Sequence, residues 1–103
     1  MSGWILQSEG EDPMTLRLPA GAIKTVGRTA RADFIVDAAL VSRVHCRLSA
    51  DKSDQLVVED LKSTNGTFVN GARVTRHVLR DGDKLGVGRV EFAVKRREAS
   101  KAS

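Results

Sequence analysis

The stretch that most restricts how this chain can fold is Asp60 to Gly71, where two Asn-Gly pairs stand five residues apart. Between them lies Thr67-Phe68-Val69, β-branched and aromatic, which suits a short strand with a turn at each end. The second pair, Asn70-Gly71, separates that run from Ala72-Arg73-Val74. A type I′ hairpin turn needs φ > 0 at both central residues, and Asn-Gly meets that demand. The hairpin accounts for the second pair and leaves the first unexplained. Asn65-Gly66 follows Ser63-Thr64, so hydroxyl and amide groups are gathered on a turn at a sheet's end, where binding groups tend to sit.

The same punctuation runs through the rest of the chain. Trp4 to Gln7 reads as a strand, Ser8 to Pro13 as a polar turn, and Met14 to Leu18 alternates apolar and polar with period two. Pro19-Ala20-Gly21 interrupts it, and Ile23 to Val26 forms a third strand ending at Gly27-Arg28. Asp33 to Val36 is a short apolar strand, followed by a connection over Asp37 to Ser42 that suits a brief helical turn. Strands are then predicted over His45–Ala50, Gln55–Asp60, the two arms of the hairpin, His77–Leu79, Lys84–Gly88 and Val90–Lys95. No stretch sustains a 3.6-residue apolar period. About ten short strands with regular turn signals predict an all-β sandwich or barrel.

Size and charge narrow what such a domain can do. A chain of 103 residues with 41% apolar content fits one domain with enough core to fold unstapled. The single cysteine, Cys46, excludes an internal disulfide framework and suits a reducing compartment. Neither a ~20-residue apolar span nor a secretory leader pattern is present in the sequence, so a cytoplasmic location and no membrane partner are expected. The net charge of +4 favours an anionic partner. Aromatic residues make up 4% and tyrosine is absent, which leaves little to stack bases and counts against nucleic-acid recognition.

Three loops stand out in order: Gly27-Arg28, then Ser42-Arg43-Val44-His45, then Ser63-Thr64-Asn65-Gly66. Each motif alone is common. Together, each at a strand end and with Asp33 and Asp60-Leu61 alongside, the segment from Ile23 to Gly88 resembles the forkhead-associated (FHA) domain. The resemblance implies an FHA-like β-sandwich of about eleven mostly antiparallel strands, with phosphothreonine-peptide-binding loops at one end. Arginine-based reading of phosphorylated motifs is that family's recognition mode.

The residue chemistry agrees with it. A phosphothreonine brings about −1.5 to −2 charge and three acceptor oxygens. Arg28 offers a planar, permanently charged fork that matches two phosphate oxygens. Ser42 and Thr64 offer hydroxyl donors, and Arg43 a second cation and a backbone N–H. The resemblance assigns Asn65 to the ligand's main chain, to which its amide can both donate and accept. It assigns Gly27, His45 and Gly66 to structural support of the site, with Gly66 supplying a turn that a Cβ would oppose.

Other chemistries fit poorly. His45 and Cys46 are consecutive in a predicted strand, so their side chains diverge and cannot form a nucleophile–base pair. Cys46 suits a buried apolar position. His77 has no companion at metal-ligand spacing, and Gly86-Val87-Gly88 lacks the third glycine and helix of a dinucleotide loop. No catalytic residue, metal or cofactor is therefore expected. The expectation is a monomeric, non-enzymatic FHA domain over residues 1–95, with a basic disordered tail over 96–103. Its partner would be a phosphothreonine-containing protein, a Ser/Thr kinase or its substrate. All six threonines lie between Thr15 and Thr75, so the ligand would come from another chain or from sequence beyond this one. Two alternatives keep a β fold: a basic barrel on nucleic-acid backbone, and an FHA-fold scaffold without phosphate binding.

Overall fold

The computed structural model describes residues 2–10 and 12–98. Among them are eleven strands and no helix. The strands are β1 (Ser2–Ser8), β2 (Thr15–Pro19), β3 (Ile23–Gly27), β4 (Phe34–Ile35), β5 (Cys46–Ala50), β6 (Leu56–Asp60), β7 (Thr67–Val69), β8 (Ala72–Val74), β9 (Arg76–Leu79), β10 (Lys84–Val87) and β11 (Val90–Glu98). They form a six-stranded sheet in the order β2-β1-β11-β10-β7-β8 and a five-stranded sheet in the order β4-β3-β5-β6-β9. Every pairing is antiparallel except β3 with β4.

Period-two patterning explains how the sheets close on each other. In β2, Leu16 and Leu18 are buried while Thr15, Arg17 and Pro19 are exposed. In β5 and β6, Cys46, Leu48, Ala50, Leu56 and Val58 point inward. The two inner faces meet in one core, with Leu6, Leu18, Leu85, Phe92 and Val94 from one sheet against Val26, Leu48, Leu56, Val58 and Leu79 from the other. Each such side chain contributes roughly 1.5–3 kcal/mol relative to exposure, and Phe92 is the largest fully buried one.

Two expectations change. The connection over residues 37–42 holds no helical turn. Leu40 has φ 70, in the left-handed region, and Val41 N donates to Ala38 O across a single reverse turn. The last strand also continues past Lys95 to Glu98, three residues into the segment expected to be tail. Strand pairing and the contacts of Arg96 hold that extension. It pairs with the start of β1, Trp4 opposite Arg96 and Gly3 opposite Arg97. Arg96 also bonds Asp54 through its Nε, donates its N–H to Asp81, and lies 5.8 Å over the Trp4 ring. Residues 99–103 of that tail lie outside the described residues.

Register decides where the three loops singled out in the sequence go. Val26 is opposite Cys46, Cys46 opposite Asp60, and Thr67 opposite Val87. The end of β3, the start of β5, the end of β6 and the start of β7 therefore share one pole of the sandwich. Three segments far apart in sequence emerge there side by side.

Candidate functional site

The pole is built on a close approach at Gly27. A methyl group there would lie 2.1 Å from Arg43 O and 2.8 Å from Val44 Cα, both backbone atoms that cannot move aside. Only a bare α-carbon lets the end of β3 pass the loop leading into β5. That passage is closed by hydrogen bonds on both sides: Arg28 N donates to Ser42 O at 2.9 Å, and His45 N to Val26 O at 2.7 Å.

Arg28 is exposed, yet its stem is fixed. Its Nε donates to Val41 O at 3.0 Å, which leaves both terminal nitrogens of the guanidinium without an intramolecular partner among the described residues. The loop that follows is tied down by Asp33. That carboxylate accepts from Thr25 N at 2.9 Å and Thr25 Oγ1 at 3.2 Å, and these bonds hold its pKa below the ordinary value. Thr29 Oγ1 donates to Arg43 O, restraining the second loop from the first. The Arg43 side chain is itself exposed and has no partner among the described residues.

His45 is fully buried and joins two loops through both ring nitrogens. Ser42 N donates to Nδ1 at 3.0 Å, and Nε2 stands 2.8 Å from Gly66 O. A backbone N–H needs an acceptor and a carbonyl needs a donor, so the proton sits on Nε2 and the ring is neutral. No ring nitrogen is left to act as a base. Cys46, next in the chain, is buried in the core, and burial above all pushes its thiol up to about 12. A thiol that far from ionising is a packing group.

The third loop is held by a carboxylate. Asp60 Oδ1 accepts from the hydroxyls of Ser63 and Thr67, and Oδ2 from Ser63 N. Burial raises the Asp60 pKa, but these bonds outweigh it and hold the group below its ordinary value. Ser63 Oγ in turn accepts from Gly66 N at 3.0 Å. Gly66 has φ 96, and a methyl group there would lie 2.8 Å from Arg73 Nε and 3.1 Å from Phe68 Cε1.

The second and third loops also bond each other directly. Thr64 N donates to Ser42 Oγ at 3.1 Å, and Asn65 Nδ2 to Leu40 O at 3.2 Å. The Thr64 and Asn65 side chains are exposed, and the Thr64 hydroxyl and Asn65 Oδ1 have no intramolecular partner among the described residues. Leu40 is wedged from behind by Gly88, where a methyl group would fall 2.7 Å from the same carbonyl.

Arg28, Ser42, Arg43, Thr64 and Asn65 therefore stand on three loops knitted into one surface, with Gly27, His45 and Gly66 beneath. Sequence reasoning passed over Asp60 as a clamp, together with Ser63, Thr67, Leu40 and Gly88. The Asp60-x-x-Ser63 spacing was a usable signal, since an Asp carboxylate that accepts from the N–H and hydroxyl of a serine three residues on is a common turn device. The Leu40–Gly88 contact has no local signal.

Known proteins resemble this chain in sequence and fold. The FHA domain family matches residues 24–88. An ABC transporter ATP-binding/permease protein of Mycobacterium tuberculosis is 38% identical over 79 residues, taking in 77% of this chain but only 9% of the transporter's length. A structure from a structural and functional analysis of phosphothreonine-dependent FHA domain interactions superposes with a TM-score of 0.82 at 34% identity, over 90% of this chain and 95% of that one. The FHA domain of FhaA, solved in complex with the intracellular domain of a second protein, gives 0.81 at 35% identity, over 89% and 99%. The family match covers more than half of the chain, and the chain belongs to the forkhead-associated (FHA) domain family.

Proposed function

We propose that this domain binds phosphothreonine peptides and so mediates a phosphorylation-dependent protein–protein interaction in signalling. The observation that carries this reading is the state of Arg28. Its Nε is spent on Val41 O, its side chain is exposed, and its two terminal nitrogens have no partner among the described residues. A guanidinium held this way loses little freedom on meeting a phosphate, which lowers the cost of binding.

The neighbouring groups complete an anion site of limited charge. The Ser42 oxygen accepts from Thr64 N, so its own proton is free to donate outward. The Thr64 hydroxyl and Arg43 add a donor and a cation. Asn65 uses one amide hydrogen internally and keeps its Oδ1 and second hydrogen for a ligand's main chain. Two cations with neutral donors balance a phosphothreonine dianion without making a general polyanion surface.

The partner is a phosphothreonine-containing protein, a Ser/Thr kinase or one of its substrates. Solved relatives support that class: one was studied for phosphothreonine-dependent interactions, and another was seen in complex with an intracellular domain. The domain acts as a monomer in the cytoplasm, with neither catalysis nor nucleic-acid binding of its own. The neutral, doubly bonded His45 and the un-ionised Cys46 support the absence of catalysis.

Arg28→Ala tests the assignment. The expected loss in phosphopeptide affinity by calorimetry is about 2–5 kcal/mol, the usual cost of truncating one partner of a hydrogen-bonded charge pair. Thermal stability should barely change, because the side chain is exposed. Near-normal affinity in the variant would remove Arg28 from the site.

A further inference from the structure

Arg73, on β8, lies outside the three loops but reaches them. It is opposite Phe68 across the β7–β8 hairpin, and its guanidinium occupies the space a side chain on Gly66 would need. A methyl group there would lie 2.8 Å from Arg73 Nε and 3.1 Å from Cζ, with the Phe68 ring edge also at 3.1 Å. Gly66 thus does more than supply φ 96: its bare α-carbon is the seat on which the Arg73 head group rests, flanked by an aromatic ring.

This cation has no internal use. The two ion pairs among the described residues are Arg47–Glu59 and Arg96–Asp54, and no hydrogen bond among them engages the Arg73 side chain. Glu91 lies on the same outer sheet face, reached through Phe68 and Gly86. Three strand spacings, roughly 14 Å, separate it from Arg73, beyond a Debye length at physiological salt. An exposed guanidinium therefore lies against Gly66, the residue after Asn65, with its donors unspent.

We propose that Arg73 reads a second anionic group on the ligand, a carboxylate or a further phosphate, beside the Asn65-Gly66 turn. This rests on the phosphopeptide reading and deepens it. A peptide whose main chain crosses Asn65 also passes the Gly66 turn against which the Arg73 head group lies. Arg73 starts from a seated position, so a bidentate contact with an oxyanion costs it little ordering.

The experiment uses phosphothreonine peptides in which a single Glu, Gln or phosphoserine is moved through the flanking positions, titrated against the wild-type domain, Arg73→Gln and Arg73→Lys. The quantity read is the Glu-to-Gln affinity ratio at each position. In the wild type, one position should give a ratio of roughly three to five at low ionic strength, fading with salt, as expected of an exposed ion pair. The ratio should fall to about one in Arg73→Gln and be intermediate in Arg73→Lys, which keeps the charge but loses the fork. Phosphoserine exceeding Glu at that position would identify a second phosphate as the natural group; Glu equalling it would identify a carboxylate. An unchanged ratio in Arg73→Gln, or no favoured position in the wild type, overturns the inference alone. Failure of every phosphothreonine peptide to bind the wild type overturns the functional reading, and this inference with it.

Discussion

The two Asn-Gly pairs of this domain are chemically identical and structurally opposite. At Asn70-Gly71 both residues have positive φ, 52 and 85, and the turn closes the β7–β8 hairpin. Asn70 spends both ends of its amide inside the protein, donating to Asp83 Oδ1 and accepting from Lys84 N. Around Gly71 there is open space. At Asn65-Gly66 only the glycine has positive φ; Gly66 is buried, and both its N–H and its C=O are engaged from within. Asn65 spends one hydrogen on Leu40 O and turns the rest of its amide outward. Each turn is organised by an aspartate, Asp60 for one and Asp83 for the other. A satisfied amide marks a structural turn, and a half-spent one on a rigid base marks a site.

The contrast can be broken most forcefully at the clamps. Asp60→Ala strips the acceptor from the buried Ser63 and Thr67 hydroxyls and from Ser63 N, and should cost more than about 4 kcal/mol on denaturant unfolding, three hydrogen bonds to a charged group at roughly 1.5–3 each. Because the folded state holds the Asp60 pKa below 3.8, its contribution is complete above that pH and is lost as pH falls below it. Hydrogen exchange at Gly66 N should accelerate over that acid range, and an acid-insensitive Gly66 would remove Asp60 from the clamp.

Glycine substitutions come next. Gly66→Ala combines a disfavoured φ with contacts near 3 Å to Arg73 and Phe68, an expected loss of about 2–4 kcal/mol. Gly71→Ala meets no neighbour and should lose only about 1–2 kcal/mol from φ. Equal losses in thermal or denaturant melts would mean the two turns are alike after all.

The asparagines give the smaller and more telling pair. Asn65→Ala should weaken phosphopeptide binding by about 1.5–3 kcal/mol, the range for hydrogen bonds whose partners are left unpaired, with little change in melting temperature. Asn70→Ala should do the reverse, costing about 1 kcal/mol of stability while binding stays the same. Isothermal titration and thermal melts on the same two variants decide it.

Much of this was legible in the chain. Each of the eleven strands coincides with an apolar or alternating run, and the hairpin at Asn70-Gly71 follows from its φ requirement. The candidate residues Gly27-Arg28, Ser42 to His45 and Ser63 to Gly66 all fall at strand ends, and register lays β3, β5 and β6 side by side. What could not be read is long-range. The sheet order places β11 between β1 and β10, which no local pattern dictates. Leu40 takes a left-handed φ of 70 with its carbonyl close against Gly88, a long-range contact that residues 37–42 do not signal locally. Arg96 looked like the start of a charged tail because its partners, Asp54 and Trp4, lie more than forty residues away in sequence.

The central claim is that the loop pole recognises phosphothreonine, and one fluorescence titration addresses it. Three peptides would differ only at one residue: phosphothreonine, phosphoserine or unmodified threonine. The extra methyl is worth about 1 kcal/mol by burial alone. It also restricts χ1, so the phosphate reaches Arg28, Ser42 and Thr64 with less freedom to lose. The phosphothreonine peptide should therefore bind at least about tenfold more tightly than the phosphoserine peptide, with no saturable binding of the unmodified one. Equal affinity for the two phosphopeptides would make the pole a general anion site and contradict the account.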